Sequence, residues 1–126
     1  MEKQIIKVNS CPAAIGPYSQ AVRAGDFLFT SGMIPIDPVT GKIVSEDIDE
    51  QTHMVFKNLT NLLTGAGTSL SNIIKTTVYI KNMNDFSKIN TIYAEYFTSG
   101  YPARSCVEVA KLPKDVLIEV ECIAKF

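Results

Sequence analysis

Apolar residues recur at helical intervals in two stretches of the chain. The first stretch is residues 47–67, DIDEQTHMVFKNLTNLLTGAG, where the apolar positions that share one helical face are Val55, Leu59, Leu62 and Leu63. The second is residues 84–100, NDFSKINTIYAEYFTSG, where they are Phe86, Ile89, Tyr93 and Phe97. Acidic or amide side chains begin each stretch as possible caps, and glycines follow as stops. The pattern therefore predicts two amphipathic helices, each with one buried side.

The remaining apolar stretches alternate in the way that half-buried strands do. They are residues 3–8, 20–32, 72–81, 104–110 and 116–126. Gly25-Asp26 divides the second of them into two strands joined by a hairpin turn, and the residues KLPKD provide a turn between the last two strands. The order ββ(β)αβαββ favours an α+β fold, with one mixed sheet of about six strands that carries both helices on one face.

The last strand has apolar residues on both of its faces. These positions are Val116, Ile118 and Val120 on one side, and Leu117 and Ile123 on the other. Two helices cover only one face of such a sheet, so a monomer would expose a larger apolar patch than soluble monomers usually show. We therefore expect a homo-oligomer that packs through the second face. The alternative is that a loop, MIPIDPVTGKIV at residues 33–44, folds over it.

The composition limits the classes of partner. At 126 residues the chain is interpreted as one domain, residues 1–126, long enough to bury a core without disulfides or metals. Its 12 Lys and Arg against 13 Asp and Glu give a net charge of -1, which argues against nucleic acid or a membrane surface as the main partner. No apolar stretch reaches the length of about 18 residues that a membrane span requires, and the N-terminus lacks the apolar region of a secretory signal. We therefore expect a cytoplasmic protein.

The cysteines and the single histidine are not spaced as a metal site. Cys11, Cys106 and Cys122 include no C-x-x-C pair, so we expect reduced thiols and no structural zinc. Cys122 has the parity of the buried side of the last strand and is predicted to be core. A thiol nucleophile at Cys106 would need His53 as its base, but His53 falls on a helix face expected to be solvated, which argues against that dyad.

Charged residues interrupt the apolar pattern of the last two strands. Arg104, Cys106 and Glu108 point to one side of their strand, and Glu119 and Glu121 share one side of the next. If the two strands pair through the short turn, a guanidinium and one or more carboxylates occupy the same sheet face. That arrangement is either a ligand site or an ion pair in which Glu119 or Glu121 neutralises Arg104.

Four segments of the chain closely resemble the RidA imine deaminases of the YjgF superfamily. They are PAAIGPYSQAV at residues 12–22, FTSGMIPIDPVTG at 29–41, KTTVYIKNMNDFSKIN at 75–90 and PARSCVEVAKLPKDVLIEVECIA at 102–124. The segments follow in the expected order and spacing, and the last motif is the most specific. The resemblance implies a chorismate-mutase-like (YjgF-type) α+β fold assembled as a homotrimer, with sites between subunits.

The resemblance also implies a reaction, the hydrolysis of 2-iminobutanoate and 2-iminopropanoate to 2-oxo acids and ammonia. These imines are released by pyridoxal-phosphate-dependent dehydratases, and their removal protects pyridoxal-phosphate enzymes. By motif position, Arg104 binds the substrate carboxylate with two parallel hydrogen bonds. Glu119 holds the attacking water and passes its proton toward the leaving nitrogen. This chemistry requires no metal and no organic cofactor.

The same resemblance implies the remaining parts of the substrate pocket. The implied positions are Tyr18, Ser31, Gly32, Asn90 and Cys106, of which Ser31, Gly32 and Cys106 act through their backbone. Met33 stands where many family members have glutamine, and Cys122 replaces a more usual alanine. The first difference bears on the polarity of the pocket, and the second bears on packing alone.

Two other functions stay open at the level of the sequence. One is a non-catalytic module that binds small carboxylates through Arg104 and acts as a regulator or chaperone. The other is the endoribonuclease activity associated with relatives in the superfamily, against which the near-neutral charge and the lack of a His/His or His/Lys pair argue. Glu119 distinguishes the deaminase from the binding module, because binding requires the arginine alone. The pathway served, isoleucine biosynthesis or general detoxification, stays open with them.

Overall fold

The computed structural model describes residues 2–98 and 100–126, and within them it contains six strands and two α-helices. The strands are β1 (Lys3–Ile6), β2 (Ala21–Ala24), β3 (Phe27–Thr30), β4 (Ile73–Ile80), β5 (Ala103–Glu108) and β6 (Ile118–Lys125). The helices are α1 (Ile48–Ala66), between β3 and β4, and α2 (Phe86–Tyr96), between β4 and β5. This order confirms the predicted succession of strands and helices. No helix in the described ranges combines the length and the apolar character needed to cross a membrane.

Helix α1 begins and ends where the sequence pattern indicates. Asp47 is its N-cap, and the side chain accepts a hydrogen bond of 3.0 Å from the backbone N–H of Glu50. Gly67 ends the helix with φ at 94°, a conformation that favours glycine. The predicted apolar face is fully buried, and its members include Val55, Leu59, Leu62 and Leu63. That face forms much of the core under the sheet.

Helix α2 is shorter than the apolar pattern predicts. It follows a single 3-10 turn at Met83–Asp85 and ends before Phe97, whose dihedral angles are not helical. Ser99, which the pattern included in this stretch, lies outside the described residues. Phe56 of α1 packs edge-on against Tyr93 and Phe97, with ring centroids 5.5 Å and 6.0 Å away. The two helices therefore meet through an aromatic contact on one side of the sheet.

The sheet order is β1-β2-β3-β6-β4-β5, and neighbouring strands are antiparallel except for the parallel pair β4 and β5. The prediction that the last two strands pair through KLPKD is therefore wrong, because β4 lies between them. That pairing was the condition for a shared site on one face. Helix α2 is the crossover that a parallel β4–β5 pair requires, and it leaves the other side of β4 for β6. The KLPKD segment turns at Pro113–Asp115, where Lys114 and Asp115 both have positive φ, and the chain then enters β6.

Strand register gives the sheet a buried face and an open face. The buried face includes, in register, Thr76, Val78 and Ile80 of β4 and Cys122, Val120 and Ile118 of β6. The hydroxyls of Tyr93 in α2 and of Thr76 hydrogen-bond at 2.7 Å, which places α2 on this face together with α1. The predictions that both helices share one face and that Cys122 belongs to the core are confirmed.

The open face keeps apolar side chains in contact with solvent. Those between 42% and 55% exposed include Ile5, Phe27, Phe29 and Val107. Residues 33–44 leave these side chains uncovered, and Asn58 holds that loop beside α1 by donating a hydrogen bond of 2.8 Å to the Ile36 carbonyl. The homo-oligomer inferred from this face stays a prediction.

Candidate active site

Glu119 lies on the open face of β6, in the wall of a cavity of about 470 Å³ that we name the glutamate cavity. The predicted site residues Tyr18, Ser31 and Gly32 line the same cavity. Met33, which we expected next to the pocket, lines it as well. The apolar part of the wall includes Ile15, Ile34 and Ile36. One chain thus brings together the predicted proton-transfer group and two of the three predicted backbone positions, Ser31 and Gly32.

The close approach of Gly32 determines where the Glu119 carboxylate lies. Residues 30–32 oppose residues 121–122 in the ladder, so a β-bulge forms after β3. A Cβ atom on Gly32 would lie 2.7 Å from Cδ of Glu119, closer than non-bonded carbon atoms approach. A larger residue at position 32 would displace the carboxylate, so the glycine reserves space for it.

The surroundings of Glu119 favour its protonated form more than water does. Burial raises the pKa of the Glu119 carboxyl, and the nearby Glu121 carboxylate raises it further. No hydrogen bond from a described residue offsets this shift. Tyr79 instead donates a hydrogen bond of 2.7 Å to Oε1 of Glu121 and holds that second charge in place. A carboxyl group with a raised pKa and unbonded oxygens suits proton transfer with a bound molecule.

Hydrogen bonds fix the loop that carries Tyr18 beside the segment that carries Ser31. The Tyr18 hydroxyl accepts a hydrogen bond of 3.4 Å from the N–H of Ile15. Ser31 donates through its N–H to the Gln20 carbonyl at 3.0 Å, and through its hydroxyl to the Ser19 carbonyl at 2.6 Å. The Ser31 hydroxyl is therefore occupied within the chain, in agreement with a backbone role for this residue, whereas the Tyr18 ring stays half exposed.

Arg104 borders a second cavity, of about 430 Å³, that we name the arginine cleft. Its Nη1 donates a hydrogen bond of 2.7 Å to Oδ1 of Asn90 in α2, which also lines the cleft. The guanidinium carbon lies 4.8 Å from the ring centroid of Tyr93 and 5.3 Å from that of Phe86, so aromatic rings support the charge. This hydrogen bond is the one that Arg104 forms with described residues, and it uses one of five N–H groups. The remaining donors suit a carboxylate ligand.

Cys106 follows Arg104 on the same face of β5 but lines neither cavity. Burial raises the pKa of its thiol, and the opposing effect of Arg104 is smaller. His53 in α1 contacts the hydroxyl of Tyr96 in α2 through Nδ1 at 2.9 Å. The thiol is therefore neither activated nor next to the histidine, as the sequence led us to expect.

Arg104 and Glu119 belong to opposite faces of the sheet. Arg104 lies in register with Thr76 of β4, which lies opposite Cys122 of β6 on the buried side. Glu119 belongs to the open side, displaced from Arg104 by about 10 Å across the strands and about 10 Å along them. The expectation that guanidinium and carboxylate share one sheet face is therefore wrong, because the register through β4 places Arg104 level with Cys122, three residues from Glu119 and on the other face. The ion pair of Arg104 with Glu119 or Glu121 is likewise not formed among the described residues.

Comparison with known proteins assigns the chain to a family. The model of the family Ribonuc_L-PSP, described as Endoribonuclease L-PSP, matches residues 8–126. The chain belongs to this family. Membership in Ribonuc_L-PSP, together with the deaminase relative described next, confirms the RidA resemblance found in the sequence.

Relatives in the Ribonuc_L-PSP family match nearly the whole chain. A RutC family protein of Pyrococcus horikoshii is 57% identical over 122 residues, 97% of each chain. The 2-iminobutanoate/2-iminopropanoate deaminase of Salmonella typhimurium is 49% identical over 127 residues, 98% of each chain. Among solved structures, E. coli TdcF with bound serine has a TM-score of 0.92 at 44% identity and covers 98% of both chains. A relative that matches nearly the whole chain is thus named as an imine deaminase.

Sequence reasoning missed parts of both cavities. Tyr93 and Tyr101 line the arginine cleft, but Tyr93 has the helical parity of a core residue and Tyr101 lies in a connection. Gln20 is buried in the wall of the glutamate cavity. The only indication in the sequence is that Gln20 is a polar residue directly before the apolar alternation of β2. Periodicity interprets such a residue as the start of a strand and not as part of a site.

Proposed function

We propose that this protein hydrolyses 2-imino acids, with 2-iminobutanoate and 2-iminopropanoate as substrates, to 2-oxo acids and ammonia. The observation that carries the proposal is the Glu119 carboxylate, held half-buried against Gly32 in an accessible cavity without a hydrogen-bond donor among the described residues. Partial burial of an acid without a partner is unfavourable, and such groups concentrate where proton transfer is needed. The 49% identity to the Salmonella typhimurium deaminase supports the same reaction.

Imine hydrolysis requires two proton relays, and Glu119 is suited to both. Water adds to the C=N carbon, and Glu119 accepts one water proton as the C–O bond forms and passes it to the imine nitrogen. The carboxylate then takes the hydroxyl proton of this intermediate and passes it to the amine as the C–N bond breaks. Ammonia and the 2-oxo acid result. The raised pKa of Glu119 helps the first transfer, because the carboxylate is then a stronger base toward water than an ordinary glutamate.

The substrate carboxylate needs an anchor of its own, and we assign that role to Arg104. Its fork keeps donors beyond the one bonded to Asn90, and two parallel hydrogen bonds to a carboxylate fix a small molecule in orientation. Each charge-assisted hydrogen bond is worth about 1.5–3 kcal/mol. Because Arg104 and Glu119 face opposite sides of one sheet, a complete site combines the arginine cleft of one chain with the glutamate cavity of another.

We therefore propose a homotrimer with each site between two chains. The exposed apolar side chains of the open face support it, because an isolated chain leaves them in water. In a closed ring, every chain gives its arginine to one neighbour and its glutamate to the other. The assembly then has as many complete sites as chains.

The proposed reaction links the protein to enzymes that release imines. Pyridoxal-phosphate-dependent dehydratases acting on threonine or serine produce 2-iminobutanoate and 2-iminopropanoate, so we propose these enzymes as functional partners. Removal of the imines serves isoleucine biosynthesis when threonine is the source, and general detoxification otherwise. The steps derived above use side chains and water alone, so the proposal includes no cofactor.

A competing function is the binding of small carboxylates without catalysis. E. coli TdcF has been solved with bound serine, which carries a carboxylate, and this favours binding as the second candidate. Such a module needs Arg104 and does not need Glu119. Endoribonuclease activity, which the family description names, is less favoured, because the only histidine of the chain, His53, lines neither cavity.

The proposed reaction is tested by coupling a threonine dehydratase to 2-oxobutanoate formation in the presence of semicarbazide, which captures the imine. Added protein is expected to reduce the initial rate of semicarbazone formation and to increase the rate of 2-oxobutanoate formation. An unchanged partition between the two products would exclude the deaminase and leave the binding module as the better proposal.

A mixing experiment tests the site between chains. Arg104→Ala and Glu119→Gln are each expected to be inactive alone. Coexpression in equal amounts is expected to restore about one quarter of the wild-type activity, because each site draws its arginine and its glutamate independently from two chain types. Native mass spectrometry shows whether mixed trimers have formed. Mixed trimers without recovered activity would mean that both groups of a site come from the same chain.

A further inference from the structure

A buried side chain holds the loop that forms one wall of the glutamate cavity, residues 8–18. Gln20 is 7% exposed, and both ends of its amide are bonded to this loop. Its Oε1 accepts a hydrogen bond of 2.6 Å from the N–H of Val8. Its Nε2 donates to the Val8 carbonyl at 3.0 Å, to the Pro12 carbonyl at 2.8 Å and to Sγ of Cys11 at 3.2 Å. The amide thus connects the start of the loop to its middle.

The same residue joins the loop to the bulge after β3. The backbone carbonyl of Gln20 accepts the N–H of Ser31 at 3.0 Å. Its side chain lies in the cavity wall together with Tyr18 and Glu119. Gln20 therefore contacts the segment before Tyr18 and the segment that contains Gly32, the two main-chain segments that approach the Glu119 carboxylate.

The loop depends on such bonds because it has no regular structure of its own. Residues 8–18 include no strand or helix, and β2 begins only at Ala21, after the glutamine. Main-chain groups in such a segment are satisfied by turns, side chains or water, and here the Gln20 side chain satisfies the Val8 N–H and the Val8 and Pro12 carbonyls. These bonds hold the start and the middle of the loop that leads to Tyr18.

We propose that Gln20 is a positioning residue for the deaminase reaction. It sets the separation between Tyr18 and the Glu119 carboxylate, and with it the width of the glutamate cavity. Gln20 contacts no reacting atom in this role and acts through the loop alone. The catalytic part of this inference rests on the proposed function, whereas the control of the loop by Gln20 does not.

The test is Gln20→Ala, measured in two ways on the full chain. Release of the loop is expected to accelerate hydrogen exchange in residues 8–18 while residues 48–66 keep their protection. In the coupled assay, kcat/KM is expected to fall by about 10–100-fold, because a misplaced wall disturbs the geometry of attack. Most of the fall belongs in kcat, since Arg104 still binds the substrate carboxylate and KM changes less.

Asn61→Ala is the matched control. Asn61 also donates a side-chain amide hydrogen bond to this loop, at 3.2 Å to the Ser10 carbonyl, but from an exposed position outside the cavity. Its kcat/KM is expected to stay within about twofold of the wild type, as for most surface substitutions. An equal loss of activity in the two variants, or unchanged exchange of residues 8–18 in Gln20→Ala, would overturn the proposal.

Gln20→Met provides a second variant where the alanine variant does not fold, because it keeps the side-chain volume and leaves no cavity. It removes the acceptor for the Val8 N–H and the donors to the Val8 and Pro12 carbonyls, so a loss of kcat similar to that of Gln20→Ala is expected. In the wild type, the Val8 amide must exchange slowly, and fast exchange there contradicts the proposal without any variant. A wild type without deaminase activity refutes the proposed function, while the exchange measurements still decide the role of Gln20.

Discussion

The glutamate cavity and the arginine cleft are built by different kinds of contact. In the glutamate cavity, the bulge at Gly32 and the buried amide of Gln20 leave little freedom in the position of the Glu119 carboxylate and of the loop around it. In the arginine cleft, Arg104 rests on aromatic rings and forms one hydrogen bond, to Asn90. One region holds a reactive group in a prepared place, and the other presents a cation with free donors.

This difference corresponds to two tasks that have different geometric demands. Proton transfer depends steeply on distance and angle, so it gains from a group whose surroundings are already ordered. A guanidinium binds the substrate carboxylate through charge and two parallel hydrogen bonds, so its main contribution is to substrate binding. We therefore expect substitutions in the glutamate cavity to act on kcat, and substitutions in the arginine cleft to act on KM as well.

The largest effect is expected from Arg104→Ala. Loss of two charge-assisted hydrogen bonds is expected to lower kcat/KM by about 10³-fold, with a marked rise in KM, in the semicarbazide-coupled assay. Arg23→Ala is the matched control, because Arg23 stacks on the ring of Phe126 at 3.7 Å and lines neither cavity. Full activity of a folded Arg104→Ala variant would remove the arginine cleft from the mechanism.

Glu119→Gln is expected to lower kcat by about 10²-fold or more and to leave KM nearly unchanged. The variant also has a stability signature. Because the fold raises the pKa of Glu119, the carboxyl opposes folding once pH rises above its unfolded-state pKa. Glu119→Gln should therefore melt at a higher temperature than the wild type at neutral pH, and this advantage should disappear in acid. A parallel fall of activity and of melting temperature at neutral pH would indicate a structural role instead.

Gly32→Ala tests whether the position of the Glu119 carboxylate matters, because this variant keeps the carboxylate but displaces it. The new Cβ would overlap the Glu119 side chain, so the carboxylate must move, and kcat is expected to fall by about tenfold or more. Gly41→Ala serves as the control, because a Cβ there meets no atom within 4 Å, although φ of 74° strains it. Steady-state kinetics and melting curves of both variants distinguish a displaced acid from a general loss of stability.

The smallest effect is a shift in pH dependence on replacing the second carboxylate. Glu121→Gln removes one cause of the raised pKa of Glu119, so that pKa is expected to fall while burial still holds it above its ordinary value. The acidic limb of the kcat profile, where Glu119 must lose its proton to act as a base, then moves to lower pH. Tyr79 and Lys114 also border this region and are left in place. An unmoved limb would assign the titration to another group.

Local features of the fold followed from the sequence because their causes are local. The cap at Asp47, the stop at Gly67 and the hairpin at Gly25-Asp26 each depend on residues within a few positions. Strand parity likewise assigned Cys122 to the core, since alternation along a strand needs no knowledge of its neighbours.

The partners of the strands did not follow in the same way. Parity along the strand assigned Arg104 and Glu119 each to one side of its own strand. Whether those two sides belong to the same face of the sheet depends on the strand between them and its register. A short turn such as KLPKD favours a hairpin, whereas the crossover of α2 requires a parallel partner and sends β6 to the far side of β4. The resemblance to known sequences pointed to Tyr18, Ser31 and Gly32. It did not point to Gln20, because the hydrogen bonds of this side chain join residues 8 to 12 positions apart and become visible only in the folded chain.

The opposed directions of the arginine and the glutamate have a genetic consequence. In the proposed trimer, a chain that has lost one of the two groups still donates the other to an adjoining site, so it disables one site and leaves the other sites intact. When a cell makes wild-type and defective chains together, the remaining activity falls in proportion to the fraction of defective chains and no faster. On the proposed arrangement, a defective allele would therefore be no more dominant than one that encodes a monomer.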